Sequence, residues 1–268
     1  MYDYHVHERH SSDASFASVK NYVQAAEKLD IKEIAFTTHL ITAGPDVAIG
    51  IRIQDIPEYI EEIEREQKET KAHLLIGFEV DYFPEEETHL EKILDNYSLD
   101  FVLGSVHCVN GYNIGDRGIA EDFFRGCQLS VRVDEYYKVW KQAVESGLFD
   151  VMAHPDYWKK YIHLFRSPPK WSEYGDMVYS AIDSLKAYNV GFEVNTSGKI
   201  HGVSGFFPAQ EFLLAAHEAG VNIVTIGSDS HSIGTLCYRF NEALNQLKNA
   251  GFTELALFKK QKIRKISL

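Results

Sequence analysis

The chain has 268 residues and a formal charge of −12, with 45% hydrophobic and 25% charged residues. That composition suits a globular protein and disfavours nucleic acid or an anionic membrane as the main partner, although cations bound in a pocket can still draw in a small phosphate ester. No apolar run is long enough for a transmembrane helix, and MYDYHVHERH has no basic stretch leading into an apolar one, so a cytoplasmic location is expected.

Short β-type runs alternate with amphipathic stretches along the chain. YDYHVH (2–7) precedes a helical pattern at 18–30, where Val19, Val23, Ala26 and Leu29 share one face. A β-type run at 31–39 leads to a helix at 56–69 that repeats Ile56, Ile60 and Ile63. Runs at 73–83 and 100–107 follow, then a helix at 134–147 that starts on an Asp cap and stops at Gly147. Runs at 149–156, 190–198 and 222–231 alternate with helices at 177–189, 208–220 and 241–251, two of which end in Ala-Gly. The strand cores are apolar on both faces, as in a parallel sheet covered by helices. This α/β alternation over about 250 residues predicts one parallel barrel domain spanning 1–268 rather than an open sheet. ELALF (254–258) is expected as an edge strand and KKQKIRK (259–265) as a solvated basic tail. The long loops at 110–132 and 157–175 are candidate substrate loops. Cys108, Cys127 and Cys237 are widely spaced, form no C-x-x-C pair and read as reduced thiols.

The strand ends carry the chemistry. His5, His7, His39, His107, His154 and His231 lie at or within two residues of the C-terminal end of a predicted strand. Asp13, Glu79 and Asp229 occupy similar positions or the loops just after. A parallel barrel opens all those ends on one face, so residues far apart in sequence converge there. Any one of these histidines alone is better read as a hydrogen-bonded structural residue. His-x-His at 5–7 and Asp-x-His at 229–231 each put two side chains on one strand face, a spacing suited to chelation that also arises by chance. Jointly, so many imidazoles and carboxylates at one rim call for cations. Neutral imidazole with carboxylate suits Zn²⁺, Mn²⁺ or Fe²⁺, and the donor set exceeds one tetrahedral ion, so two or three ions are expected. Ions about 3.5–4 Å apart generate a hydroxide that attacks phosphorus or carbonyl carbon. His10, His163 and His201 lie in loops on the same face and are substrate candidates, whereas His73, His89 and His217 read as structural.

DYHVH with Asp13 in SSDAS, then TTH, GFEVD, GSVH, AHPD and GSDSH, resembles the polymerase-and-histidinol-phosphatase (PHP) family in order and spacing from His5 to His231. GFEVDYF, GSVH, AHPDYWKKY and EVNTSG resemble its histidinol-phosphatase branch. The resemblance implies a distorted (β/α)7 barrel with a trinuclear site and hydrolysis of L-histidinol phosphate in histidine biosynthesis by a metal-bridging hydroxide. It implies one ion on His5, His7, Glu79 and Asp229, a second on Glu79, His107 and His154, and a third on Asp13, His39 and His231. Asp229 or His231 is the implied proton donor to the leaving alkoxide. One position departs from the branch, which has Leu-Arg after N-T-[SA]-G, where this chain reads Lys199-Ile200-His201. Lys199 is a point charge and does not reproduce a bidentate guanidinium. Arg117, Lys159, Lys160 and Arg166 are therefore further phosphate candidates.

The leading expectation is hydrolysis of a small phosphomonoester, L-histidinol phosphate first, with another phosphomonoester or a phosphodiester as the alternative. An amidohydrolase-type enzyme also carries His-x-His on its first strand, but its bridging Lys has no counterpart at the tips of GFEVD and GSVH. A non-catalytic metal-binding module is disfavoured because all nine ligand positions are present.

Overall fold

The computed structural model describes residues 1–164, 166–167 and 169–268. The first four strands are β1 (Tyr2–Val6), β2 (Glu33–Leu40), β3 (His73–Asp81) and β4 (Phe101–Ser105). A small antiparallel pair follows, β5 (Cys108–Val109) with β6 (Tyr112–Asn113), and then β7 (Val151–Met152), β8 (Gly191–Asn195) and β9 (Val224–Gly227). Seven of these form one parallel sheet in the order β1-β2-β3-β4-β7-β8-β9. The sheet curls until its ends meet, and an isolated parallel bridge joins Val6 to Ser230. There His7 N donates to Ser230 O at 2.9 Å and Ser230 N donates to His5 O at 3.2 Å. The expected (β/α)7 barrel is thus present and nearly closed, and it closes at the C-terminal strand ends.

Lower down, the buried carboxylate of Asp3 takes over the closure. It accepts from Ser228 N at 2.9 Å, Ser228 Oγ at 2.6 Å and Cys237 N at 2.9 Å. These bonds tie β1 to β9 where no ladder joins them.

Each strand is buried on both faces, for the reason given by its sequence. On β2 and β3, Ile34, Phe36, Phe78 and Val80 face the helical shell, while Ala35 and Leu75 face the lumen with Phe101, Leu103 and Val151. The shell consists of α1 (Val19–Leu29), α2 (Ile56–Glu66), α3 (Glu87–Asp95), α4 (Arg117–Phe124), α5 (Leu129–Glu145), α6 (Gly175–Tyr188), α7 (Gln210–Ala219) and α8 (Phe240–Ala250). Ser18 caps α1 by accepting from Asn21 N, and Gly220 and Gly251 end α7 and α8 at φ +82° and +101°. None of the described helices is long and apolar enough to cross a membrane.

Several elements differ from expectation. The short helix α3 hides in an acidic stretch, where Leu90, Ile93 and Leu94 still bury one face. The loop expected at 110–132 contains α4, capped by Asp116, and the start of α5. The loop at 157–175 contains short 3₁₀ turns at Tyr157–Lys159, Ile162–Leu164 and Trp171–Glu173. ELALF is not an edge strand of the barrel: β10 (Glu254–Lys259) pairs only with β11 (Lys262–Ser267). That hairpin plugs the barrel floor with Ala256, Leu257 and Phe258, and the Phe258 ring stands 5.0 Å from that of Phe101. The basic tail is accordingly a strand, although most of its side chains remain exposed. Alternating charge masked it, because its partner is a neighbouring strand rather than the core.

Replacing Asp3 by Ala leaves the Ser228 and Cys237 donors unsatisfied. It is expected to cost about 3 kcal/mol of stability in urea unfolding, a loss far larger than surface substitutions give.

Candidate metal centre

Local backbone irregularities turn the strand-end side chains inward. Regular alternation would send Tyr4 and His5 to opposite sides of β1. The β1–β2 register instead shifts between Asp3 and Val6, a bulge that lets Tyr4 fill the lumen while His5 and His7 both face Glu79 above it. His39 and Glu79 face one another as register partners on β2 and β3. β7 stops at Met152, and His154 follows at φ +25°; β9 stops at Gly227, and Asp229 follows at φ +54°. Non-glycine residues seldom adopt such angles, and they cluster at functional sites. Here they explain why both strands are shorter than their apolar runs. Asp13 sits in a 3₁₀ turn, Ser12–Ala14, at the cavity rim.

Glu79 is the hub, with 1% of its side chain exposed. Its Oε1 lies 2.9 Å from His154 Nε2 and 3.5 Å from His107 Nε2. Its Oε2 lies 2.9 Å from His39 Nδ1, 3.2 Å from His5 Nε2 and 3.4 Å from His7 Nε2. Asp229 Oδ1 lies 3.4 Å from His7 Nε2, 3.5 Å from His231 Nδ1 and 3.6 Å from His5 Nε2. Asp13 Oδ2 lies 3.1 Å from His231 Nε2 and 3.5 Å from His39 Nε2. The ligand atoms of three triplets lie within 4.8 Å of one another: His5, His7 and Asp229; Glu79, His107 and His154; and His7, His39 and His231. All nine residues read from the sequence as ligands therefore meet in one cluster, with Asp13, His39, Glu79, His107, Asp229 and His231 on the cavity wall and His5, His7 and His154 buried behind them.

The arrangement suits cations better than protons. Among the described residues buried Glu79 Oε2 has no hydrogen-bond partner, although three imidazole nitrogens stand within 3.4 Å of it. His5 Nε2 and His7 Nε2 lie 3.0 Å apart, lone pair towards lone pair unless one carries a proton. Protonation pulls the array in opposite directions. Burial, and then the charges of His39 and His231, push His7 down to about 3. Burial also opposes charge on His39, but Glu79 and Asp13 outweigh it and carry that imidazole up to about 10. Cations shared by nitrogen and oxygen donors remove the conflict.

A family model described as PHP domain matches residues 3–197. The chain belongs to the PHP domain family. A protein of Deinococcus radiodurans named probable histidinol-phosphatase is 30% identical over 237 residues, covering 87% of each chain. The histidinol-phosphatase of Lactococcus lactis is 26% identical over 266 residues, covering 98% of this chain and 96% of its own. A crystal structure of histidinol phosphate phosphatase from Lactococcus lactis, complexed with Zn, L-histidinol and phosphate, has a TM-score of 0.81. It is 23% identical and covers 98% of each chain, a likeness of fold.

This PHP chain also carries a supporting layer that its motifs do not reveal. Glu193, fully buried on β8, accepts from His5 Nδ1 at 2.8 Å, and its other oxygen accepts from His154 N at 3.0 Å and Asn195 Nδ2 at 3.0 Å. A carboxylate has no proton to give, so His5 carries its hydrogen on Nδ1 and turns the Nε2 lone pair to the cavity. Asp81 accepts from His107 N at 3.0 Å, and Ser197 Oγ donates to Asp229 Oδ2 at 3.0 Å. Gly227 is the space these contacts need, since a Cβ there would collide with the Glu193 carboxylate and His5 Cβ. In sequence, EVN at 193–195 stood out as part of a strand end and of the branch-like EVNTSG, with no role attached to Glu193. The signal available was a charged residue at an inward position of an otherwise apolar strand.

The PHP centre opens into a cavity of about 420 Å³. Of the basic candidates, Lys160 and His201 line it. Lys160 Nζ donates to Tyr157 OH at 2.8 Å, and the Tyr157 ring lies 4.4 Å from that of His154 and 4.7 Å from that of His107. Burial pushes the Lys160 ammonium below the usual lysine range, and burial, then Lys160, brings His201 down to about 4. The other four basic candidates are placed elsewhere. Lys199 Nζ donates to Ser204 O at 2.7 Å, away from the cavity. Lys159 Nζ is held by Asp156 at 2.6 Å and Tyr174 OH at 3.0 Å. Arg117 is exposed at the start of α4, and Arg166, half-buried, is likewise not on the cavity wall. His163 borders a separate cavity, and His10 Nδ1 is paired with Glu8 at 2.9 Å.

Glu193→Gln removes the carboxylate that sets the His5 tautomer. It is expected to weaken metal retention about 10–100-fold, read by titration with a competing chelator and elemental analysis. Gly227→Ala is expected to lower metal content as well, because His5 or Glu193 must move.

Proposed function

We propose that this PHP chain hydrolyses L-histidinol phosphate to L-histidinol and phosphate, using two or three divalent ions. The observation that carries the reading is Glu79, whose two oxygens face two separate groups of imidazoles. The histidinol-phosphatase names of the relatives support the substrate.

In this reading His5, His7, Glu79 and Asp229 hold one ion, Glu79, His107 and His154 a second, and Asp13, His39 and His231 a third. Geometry leaves His7 close enough to serve the third as well. When bound, such ions acidify water to a nucleophile at neutral pH and neutralise phosphate oxygens. Glu79, with 1% of its side chain exposed, would serve as a ligand shared between ions rather than as the proton donor. His231 is the most exposed imidazole of the set, at 32%, and stands beside Asp229. We assign proton delivery to the leaving alcohol to Asp229 or His231, at this rim.

Lys160 is assigned to the phosphate, with His201 beside it, in place of the guanidinium that Ile200 cannot supply. Because Lys160 offers a single charge rather than a fork, another small phosphomonoester remains the second reading.

Purified enzyme is expected to release phosphate from histidinol phosphate with a kcat/KM far above that for a generic aryl phosphate. Equal values would defeat the specific substrate. Exhaustive chelation should abolish turnover, and His5→Ala or Asp229→Ala should lower both turnover and bound metal. Near-normal activity in both variants would remove those residues from the site. Lys160→Ala is expected to raise KM about tenfold or more, as loss of a charge-assisted contact does.

A further inference from the structure

Asp46 lines the same cavity as the proposed metal ligands but lies outside all three proposed ligand sets. Its carboxylate accepts one hydrogen bond, from Asn113 Nδ2. Asn113 is itself fixed, because its Oδ1 accepts from Gly115 N at 2.7 Å. Among the described residues no Lys, Arg or His nitrogen lies within 4.0 Å of Asp46. The neighbouring Asp116 is committed to capping α4 through Gly118 N and Ile119 N. Asp46 is therefore a positioned, half-buried carboxylate in the substrate cavity with no cationic side chain in ion-pair contact among the described residues, since His39 and Lys160 act on it only from beyond that distance.

The cavity lining carries charges of both signs outside the proposed ligands. Lys160 stands on the wall formed after β7, and Asp46 and Asn113 stand on the wall formed after β2 and β4. Ile41, Ile49 and Ile200 supply apolar surface in the same lining. A ligand filling this space pairs best if it carries an anion for Lys160, a cation for Asp46 and a short hydrocarbon body. At about 420 Å³ the cavity suits a small molecule rather than a protein side chain on its backbone.

We propose that Asp46 is a specificity residue that accepts the ammonium group of an amino-alkyl phosphate substrate, oriented by Asn113. This rests on the histidinol phosphate reading and adds the group by which that substrate is told from amine-free phosphate esters. An ammonium in this place gives the carboxylate a contacting countercharge when the cavity fills, which no Lys, Arg or His nitrogen among the described residues supplies within 4.0 Å.

The test compares L-histidinol phosphate with its deamino analogue, 3-(imidazol-4-yl)propyl phosphate, on wild-type enzyme and on Asp46→Asn. Wild type is expected to favour the amine-bearing compound by about 10–100-fold in kcat/KM, as a charge-assisted hydrogen bond gives. Asp46→Asn is expected to lose most of that ratio, chiefly through KM for histidinol phosphate. Asp46→Ser should repeat the loss, and bound metal measured on each variant shows whether the centre is intact. An unchanged ratio in both variants, with metal content like that of wild type, overturns the inference alone. So does an equal fall on both compounds, which would make Asp46 merely structural. Wild type inactive on both compounds defeats the histidinol phosphate reading and the Asp46 assignment together.

Discussion

A carboxylate that is almost wholly removed from water, with five imidazole nitrogens within 3.5 Å, is the constraint around which this molecule is arranged. Ionised and alone, Glu79 would carry a large desolvation penalty. Its surroundings hold it ionised, well below the usual carboxylate range: burial opposes, and His5, His107 and His39 overcome it. Protons cannot satisfy every neighbour at once, since each imidazole that charges raises the cost of charging the next. Divalent cations resolve the competition because one ion accepts several lone pairs.

Such a centre functions only if its donors are held still, and the rest of the barrel supplies that. Glu193 fixes the His5 ring and, through the His154 amide, the residue that ends β7. Asp3 and the Val6–Ser230 bridge hold β1 against β9, so His5 and His7 stay opposite Asp229. The apolar hairpin under the barrel leaves the chemistry at the other end. Stability and function thus meet on β1, where one bulge separates Tyr4 in the packed lumen from His5 in the ligand cluster.

Loops build much of the cavity wall. Beyond the clustered imidazoles and carboxylates, its lining comes from the segments after β2, β4, β7 and β8. Lys160 comes from one of these segments and Asp46 from another, so the lining carries both signs of charge. Lys199, two residues past the Asn-Thr-Ser turn, points away onto Ser204 and Phe206, so charge counted in the sequence there is not charge in the site.

Read alone, the sequence determined the alternation of strands and helices, the barrel, and the nine side chains that converge. Those features follow from local apolar periodicity and from the rule that parallel strands open on one face, both of which need no knowledge of contacts. Only the tertiary structure decided the β1 bulge, the left-handed turns at His154 and Asp229, the support from Glu193, and which lysine faces the cavity. Each of these depends on what a residue meets across the fold: Glu193 reaches a histidine on β1, and Gly227 is required by atoms from two other strands. A side chain's distant neighbours leave no period in its own stretch of chain.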